Sequence, residues 1–431
     1  MDEGAEARSP LEEAPEGYAG GLAQRLAFYQ RAGGIVTPAA TALFAFLMGG
    51  LVVLATGHNP WSTYKGIFHG TGLGWFFHVG SYHVDVPFTD HQVWFWWNTS
   101  SENDAAYNLQ QTLLTMTPLL LTGLAVAFAF RCGMFNIGGQ GQYLVGQTLA
   151  VIVGAQISGL GGPVHVFLGV TVAMLGGALW GGIAGLLKAA VGAHEVISTI
   201  MLNWIAIWTA DYAFGARGPL QSATQRFNPV SDDVHGSAKL PVFWGDQGLQ
   251  GLHVGLFIAL AMLVVYSITL NRTTLGYEVR TVGFNPEAAR YGGISVPRNY
   301  FLAMAISGGF AGLAGSLDIL GWQYHLGTAD VHASSIGFLG IAVALLGRNR
   351  AVGIFFSSLL FAALTIGTSS RQLDPAIFDP NLASNLTLII QGLIVLFVGA
   401  DVLILYLWQA RRRLRPRRRQ RAPEAAAEAG P

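Results

Sequence analysis

The longest charge-free stretch of this sequence constrains its fold more than any other feature. Between Arg131 and Lys188 the chain runs for 56 residues without an Asp, Glu, Lys or Arg. A bilayer with a hydrocarbon core of about 30 Å needs roughly 20 apolar residues for each crossing helix, so this stretch is long enough for two crossings and a connection. We therefore predict a membrane protein.

The composition agrees with that class and excludes several chemistries. Hydrophobic residues make up 52% of the chain and charged residues 11%, whereas soluble domains carry about 25% charged residues. The one cysteine, Cys132, excludes an internal disulfide framework. The sequence contains neither a Gly-x-x-x-x-Gly-Lys-Ser/Thr loop for ATP nor a His-Glu-x-x-His zinc motif. We expect no catalytic residue, metal or directly bound cofactor.

Charge-poor windows predict an all-α bundle of about ten transmembrane helices, because only helices and closed barrels satisfy their backbone within lipid. The predicted spans are residues 37–57, 107–130, 138–157, 163–187, 196–214, 252–271, 299–321, 331–347, 351–370 and 384–408.

The distribution of positive charge predicts the orientation. With the N-terminus inside, nineteen of the 24 Lys and Arg residues lie on cytoplasmic segments, in accordance with the positive-inside rule. Both termini are then cytoplasmic, and the arginines of residues 411–421 can contact anionic lipid. The predicted divisions are a cytoplasmic tail (1–33), a membrane domain (34–408) with external loops (58–106 and 215–251) and a cytoplasmic connection (272–298), and a basic tail (409–431).

A glycine- and amide-rich segment interrupts the apolar pattern at residues 131–142. It contains Asn136, Gln140 and Gln142 among four glycines. Non-helical backbone at membrane depth is tolerated only where protein or a water-filled cavity satisfies it, and such breaks mark binding sites in transporters. A cytoplasmic turn is the alternative interpretation. Ser198 and Asn203 add polar groups to the fifth span, so these five residues are our candidates for a substrate pathway.

The connection at residues 272–298 contains start and stop signals for one short helix. Asn285 can cap it, Pro286 suits its first position, Glu287 favours its positive end, and Gly292 can end it. A six-residue helix is not stable alone, so it needs packing partners. We expect Ala288 and Ala289 to offer a docking surface. A solvated connecting loop is the alternative.

Other residues within the spans permit two kinds of prediction. Gly177, Gly181 and Gly185 share a helical face, as do Gly308 and Gly312, and small residues four apart allow helices to pack closely in lipid. Asp318 lies near a predicted interface, where either snorkelling or local pairing would accommodate its charge.

Five segments together resemble one family of transport proteins. They are residues 135–142 (Phe-Asn-Ile-Gly-Gly-Gln-Gly-Gln), 195–204, 283–294, 307–315 and 340–348. Their order and spacing are similar to those of bacterial ABC importer permeases of the branched-chain amino acid, ribose and nucleoside class, above all its nucleoside or simple-sugar branch. The likeness covers residues 107–408 and departs at Gln140, where that branch usually has Glu.

The resemblance implies a plasma-membrane permease subunit that works by alternating access. It implies a second permease subunit, cytoplasmic ATPases that bind the ATP and Mg²⁺, and an external substrate-binding lipoprotein; no nucleic-acid partner is expected. The residues implied to form the coupling helix against the ATPase are Gly283, Asn285, Pro286, Glu287, Ala288, Ala289, Arg290 and Tyr291.

We expect nucleosides to be the substrate, with simple sugars or branched-chain amino acids as the alternative. An ion-coupled secondary transporter would need paired buried acids, and few acids lie mid-span. An intramembrane enzyme with Ser307 as nucleophile would need a nearby base, and no His or Lys lies at an obvious spacing.

Overall fold

Helices dominate the protein. The computed structural model describes residues 38–39, 41–77, 83–85, 92–94, 102–225, 227–246, 250–369 and 380–399. In that part of the chain the strands form two short antiparallel pairs, so the all-α fold class is confirmed. The predicted cytoplasmic tails, residues 1–33 and 409–431, lie outside the described residues.

The elements follow one another along the chain with short connections. The helices are α1 (Thr41–Ala55), α2 (Pro60–Thr71), α3 (Glu102–Arg131), α4 (Gly139–Gln156), α5 (Gly162–Val191), α6 (Glu195–Phe214), α7 (Gly255–Arg272), α8 (Thr274–Phe284), α9 (Pro286–Tyr291), α10 (Val296–Asp318), α11 (Thr328–Ala333), α12 (Ile336–Leu346), α13 (Ala351–Gly367) and α14 (Pro380–Gly399). A π-helical turn, Ile319–Gln323, extends α10. The strands are β1 (His83–Asp85) with β2 (Gln92–Trp94), and β3 (Val242–Trp244) with β4 (Leu252–His253).

The described part of each of the ten predicted spans lies largely in helix. Residues 334–335 separate α11 from α12 within the span 331–347, and residues 400–408 of the last span lie outside the described residues. Five stretches are long and apolar enough to cross a bilayer: Asp104–Arg131, Gly162–Val191, Gly255–Arg272, Val296–Gln323 and Thr328–Leu346. Three further apolar helices are shorter: Thr41–Ala55, Ala351–Gly367 and Asn385–Phe397. The protein is therefore a polytopic membrane protein, while the count of ten crossings stays a prediction.

Glycine allows α5 and α10 to pack backbone against backbone. A Cβ added at Gly177 would lie 2.4 Å from the carbonyl oxygen of Gly308, and one at Gly181 would lie 2.5 Å from that of Met304. α4 joins the same contact, because a Cβ at Gly146 would lie 2.3 Å from the carbonyl oxygen of Gly312. The predicted packing role of these glycine faces is confirmed.

The segment predicted as the second external loop, residues 215–251, lies over the ends of α4 and α10. The backbone N–H of His235 donates to the Gly154 carbonyl at 2.9 Å, and that of Leu240 donates to the Leu320 carbonyl at 2.7 Å. Leu320 belongs to the π-helical turn. We call residues 215–254 the cap segment. It supplies donors to carbonyl groups at the end of the bundle.

The range predicted as the first external loop, residues 58–106, contains packed structure. Asn59 caps α2 by accepting a hydrogen bond from the Trp61 N–H at 2.9 Å. The Thr112 hydroxyl on α3 donates to the Thr71 carbonyl of α2 at 2.8 Å. α3 also begins at Glu102, five residues before the predicted span. This range therefore contains a capped helix that packs on α3, and its external location stays a prediction.

Candidate functional site

Asn136 organises the break between α3 and α4. The backbone turns at Gly133, with φ 74°, and regains helix at Gly139. The buried Asn136 side chain donates to the Gln142 Oε1 at 2.9 Å and to the Ser307 Oγ at 2.7 Å. Its Oδ1 accepts from the Gly138 N–H at 2.8 Å. The break is therefore satisfied by protein groups, as membrane depth requires.

Asn203 on α6 holds the first turn of α4 from the other side. Its Oδ1 accepts from the Gly141 N–H at 2.8 Å, and its Nδ2 donates to the Ile137 carbonyl at 2.9 Å. Gly141 is one of the helix-start residues whose N–H has no partner within α4. Asn203 thus acts as a cap supplied by a different helix.

Gln140 ties the break to the connection between α11 and α12. Its Nε2 donates to the Ser334 carbonyl at 3.0 Å, and its Oε1 accepts from the Gly337 N–H at 2.9 Å. An ionised glutamate has no donor for a carbonyl group. The amide therefore suits this position better than the glutamate usual in the branch that the sequence resembles.

The structure brings four of the five candidate pathway residues together and places one apart. Asn136, Gln140, Gln142 and Asn203 are all buried around the break between α3 and α4, and each side chain bonds within the chain through both its oxygen and its nitrogen. Ser198 is half-buried on α6 and donates to the His194 carbonyl of its own helix at 3.2 Å. Their role in a substrate pathway stays a prediction.

A second polar cluster surrounds Asp318, which the sequence left open between snorkelling and local pairing. Asp318 is 1% exposed. It accepts hydrogen bonds from the Tyr143 hydroxyl and, at 3.1 Å, from the Trp322 Nε1. Gln147 donates to both the Tyr143 hydroxyl, at 3.0 Å, and the Gln323 Oε1, at 2.9 Å. Local pairing is correct. Tyr143 and Gln147 lie four residues apart on one face of α4, and this spacing of polar groups was the signal for a buried polar cluster that sequence reasoning missed.

The predicted short helix exists as α9 and begins as expected. The Asn285 Oδ1 accepts from the N–H groups of Glu287 at 3.0 Å and Ala288 at 3.1 Å. Glu287 also pairs with Arg290 at 3.2 Å. The C-cap is Gly292, with φ −76°, and the left-handed residue follows at Gly293. The capped helix is confirmed.

Two features of this connection were not predicted. A further helix, α8, precedes α9, and Thr273 caps it by accepting from the Gly276 N–H at 3.1 Å. α8 ends against α3, since a Cβ at Gly283 would lie 2.3 Å from the Arg131 carbonyl oxygen. The long connection is thus structured along most of its length.

The surface that α9 offers to a partner differs from the expected one. Ala289 is fully buried by the chain itself, so only Ala288 of the predicted alanine pair is exposed. Ala289 therefore supports the fold of the connection. Two aromatic rings flank α9 instead: Phe284 is 91% exposed and Tyr291 is 94% exposed. Exposed aromatic anchors of this kind are typical of protein interfaces.

Comparison with known proteins identifies the family. Residues 108–399 match the model of the branched-chain amino acid transport system / permease component. The chain belongs to this permease family. It is 33% identical over 372 residues to the guanosine ABC transporter permease protein NupP of Bacillus subtilis, covering 86% of this chain and 94% of that protein. No solved structure matched the chain.

Two other relatives of this permease carry different substrate names. The nucleoside ABC transporter permease protein NupB of Lactococcus lactis is 31% identical over 86% of this chain and 92% of its own length. The glucose ABC transporter permease protein TsgB13 of Haloferax volcanii is 31% identical over 68% of this chain and 76% of its own length. The chain is therefore an ABC permease of the plasma membrane, and permeases of this family work with ATPase and binding-protein partners.

Proposed function

We propose that this permease imports nucleosides as the membrane subunit of an ATP-driven importer. One observation carries the proposal: the relatives named for guanosine and nucleoside transport match 86% of this chain and more than nine-tenths of their own lengths. Simple-sugar import is the second candidate, because the glucose-named relative is 31% identical over a shorter stretch.

The α8–α9 connection supports a place for a separate ATPase. Asn285 caps α9, and the Glu287–Arg290 ion pair lies along it. The exposed rings of Phe284, at the end of α8, and Tyr291, at the end of α9, lie at its two ends. A rigid short helix between exposed aromatic rings suits insertion into a cleft on a partner. In the proposed orientation this surface is cytoplasmic, together with Arg131, Arg272 and both termini, and ATP and Mg²⁺ bind in the partner.

Alternating access would follow from movement of that surface. Closure of two partner ATPases on ATP would draw the α9 helices of two permease subunits together and switch the pathway between them. An external binding protein would deliver the substrate on the opposite side. In this scheme the amide network around Asn136 either lines the pathway directly or fixes the helices that line it.

Uptake measurements in a strain that lacks only this gene test the substrate. We expect uptake of radiolabelled guanosine to fall to background and to return when the wild-type chain is supplied, while uptake of labelled glucose and leucine is unchanged. Loss of glucose or leucine uptake, with guanosine uptake intact, would overturn the nucleoside assignment.

Removal of the exposed rings tests the docking surface. Phe284→Ser with Tyr291→Ser in the full chain should lower both the co-purification of an ATPase subunit and guanosine uptake by tenfold or more, because aromatic anchors dominate interface energies. Phe227→Ser is the matched control, since Phe227 is a fully exposed ring in the cap segment. Unchanged co-purification and uptake in the double variant would exclude docking through these rings.

A further inference from the structure

A cleft of about 790 Å³ opens beside α8, at the end of the bundle where α3 and α7 terminate in arginine. Arg131, Arg280 and Arg350 line it. Among the described residues that line the cleft, none is acidic. The rest of the wall is largely apolar and includes Leu270, Leu346, Phe356 and Leu360.

The positive charge in the cleft is not neutralised by the described residues. Arg131 donates from Nε and Nη2 to the Asn349 carbonyl at 3.2 and 2.8 Å, which fixes its guanidinium at the cleft wall. The Arg280 Nη1 lies 3.5 Å from the Asn271 Oδ1. Within the described chain neither these two arginines nor Arg350 forms an ion pair. The cleft therefore presents three cationic groups to a ligand from outside the described part of the chain.

The start of α13 lies at the same cleft. α13 begins at Ala351, and its first intrahelical bond runs from the Ile354 N–H to the Arg350 carbonyl at 2.8 Å. The preceding N–H groups of Ala351, Val352 and Gly353 have no acceptor within the helix, and all three residues line the cleft. A helix start adds partial positive charge to a site already defined by three arginines.

We propose that this cleft binds the phosphate headgroup of an anionic membrane phospholipid. Arg131 lies at the end of the apolar helix α3 and Arg350 at the start of the apolar helix α13, which is the depth of lipid headgroups. The apolar walls provide a surface for acyl chains, which a free phosphate ion would not need. Basic pockets between transmembrane helices bind anionic headgroups in this way.

The bound lipid would connect the membrane body to the α8–α9 connection. Arg280 belongs to α8, which runs directly into α9 through Asn285. Arg350 and the start of α13 line the same cleft. A phosphate held by Arg280 and Arg350 together fixes α8 against the start of α13, so lipid occupancy positions the surface that we propose for ATPase docking.

Native mass spectrometry of the purified full chain tests the site, with phosphatidylglycerol and phosphatidylcholine as the probes. We expect the wild-type chain to retain phosphatidylglycerol, and Arg280→Gln with Arg350→Gln to lower its affinity about thirtyfold, since each basic residue near a lipid surface contributes about 1 kcal/mol and tenfold is 1.4 kcal/mol. Arg272→Gln is the matched control, because Arg272 is exposed at the same end and lies outside the cleft wall.

Three results with the full chain would overturn the proposal. The first is equal affinity for both lipids in the wild-type chain, and the second is equal loss in the control and the double variant. The third is displacement of the lipid by millimolar inorganic phosphate, which would identify a phosphate ion as the ligand. A separate arm deletes residues 2–31. If phosphatidylglycerol binds only after that deletion, the acidic N-terminal segment is the occupant instead and the proposal fails.

Discussion

One methyl group at Gly312 should force apart two helices of the bundle. A Cβ added there would lie 2.4 Å from the Ala173 carbonyl oxygen and 3.0 Å from the Gly177 Cα. Favourable contact begins at about 3.5 Å, so α5 and α10 would have to separate by about 1 Å. Gly309, on the same helix, provides the control, because its added Cβ would meet nothing closer than 3.7 Å.

The expected cost follows from these distances. Overpacking costs about 1–3 kcal/mol, and the upper end applies here because backbone atoms cannot rotate away as a side chain can. Alanine gains up to about 1 kcal/mol over glycine in a helix interior. We therefore expect Gly312→Ala to lower the free energy of unfolding by about 2 kcal/mol net. Gly309→Ala should leave it unchanged or raise it by up to about 1 kcal/mol.

Cys132 provides the assay. It is the one cysteine of the chain, it is 1% exposed, and its sulfur faces the Asn299 carbonyl of α10 at 3.7 Å. Under native conditions its rate of reaction with a maleimide follows the population of the opened state. A loss of about 2 kcal/mol raises that rate about thirtyfold. Similar rates in Gly312→Ala, Gly309→Ala and the wild type would refute the packing argument.

Two other perturbations follow from the buried polar groups. Asn136→Leu leaves the Gly138 N–H and the Gln142 amide without their partner, so the free energy of unfolding should fall by about 3 kcal/mol and uptake should cease. Ser198→Leu, at a half-buried position whose hydroxyl bonds only within its own helix, should unfold like the wild type in the same denaturant titration. Burial lowers the pKa of His253, outside the spanning helices, to about 4. Between that value and its ordinary pKa near 6.5 only the unfolded chain binds the proton, so stability rises with pH across this window, by up to about 3 kcal/mol. Unfolding measured from pH 4 to 7 should show this slope in the wild type and lose most of it in His253→Gln.

Local signals in the sequence predicted the elements that local physics controls. Every apolar window that predicted a span contains helix in its described part, because about twenty apolar residues have few other stable states in lipid. Asn285 and Pro286 located the start of α9 within one residue, because a cap and a fixed φ act on neighbouring backbone. The sequence did not predict α8, since the first turn after its cap at Thr273 contains a glycine, Gly276, and no acidic residue.

Pairings between distant residues were beyond the reach of sequence reasoning. Asn136 meets Ser307 across 171 positions, and Gln140 meets Gly337 across 197. Nothing in the sequence around either amide indicates which distant residue it contacts. Ala289 is a second example of this limit of sequence reasoning. It belongs to a short polar helix, and nothing in that sequence indicates that other parts of the chain bury it. Which polar residues lie together depends on the helix packing, and packing is set by the whole bundle.

The glycine contacts also determine where this molecule can bend. Gly146, Gly177 and Gly312 place the backbones of α4, α5 and α10 in direct contact, with no intervening layer of side chains that could change rotamer. These three helices should therefore move together as one rigid unit. Gly293, at φ 79°, connects α9 to α10. A small rotation of α10 would therefore move α4 and α5 with it, together with the buried Asp318 at the end of α10.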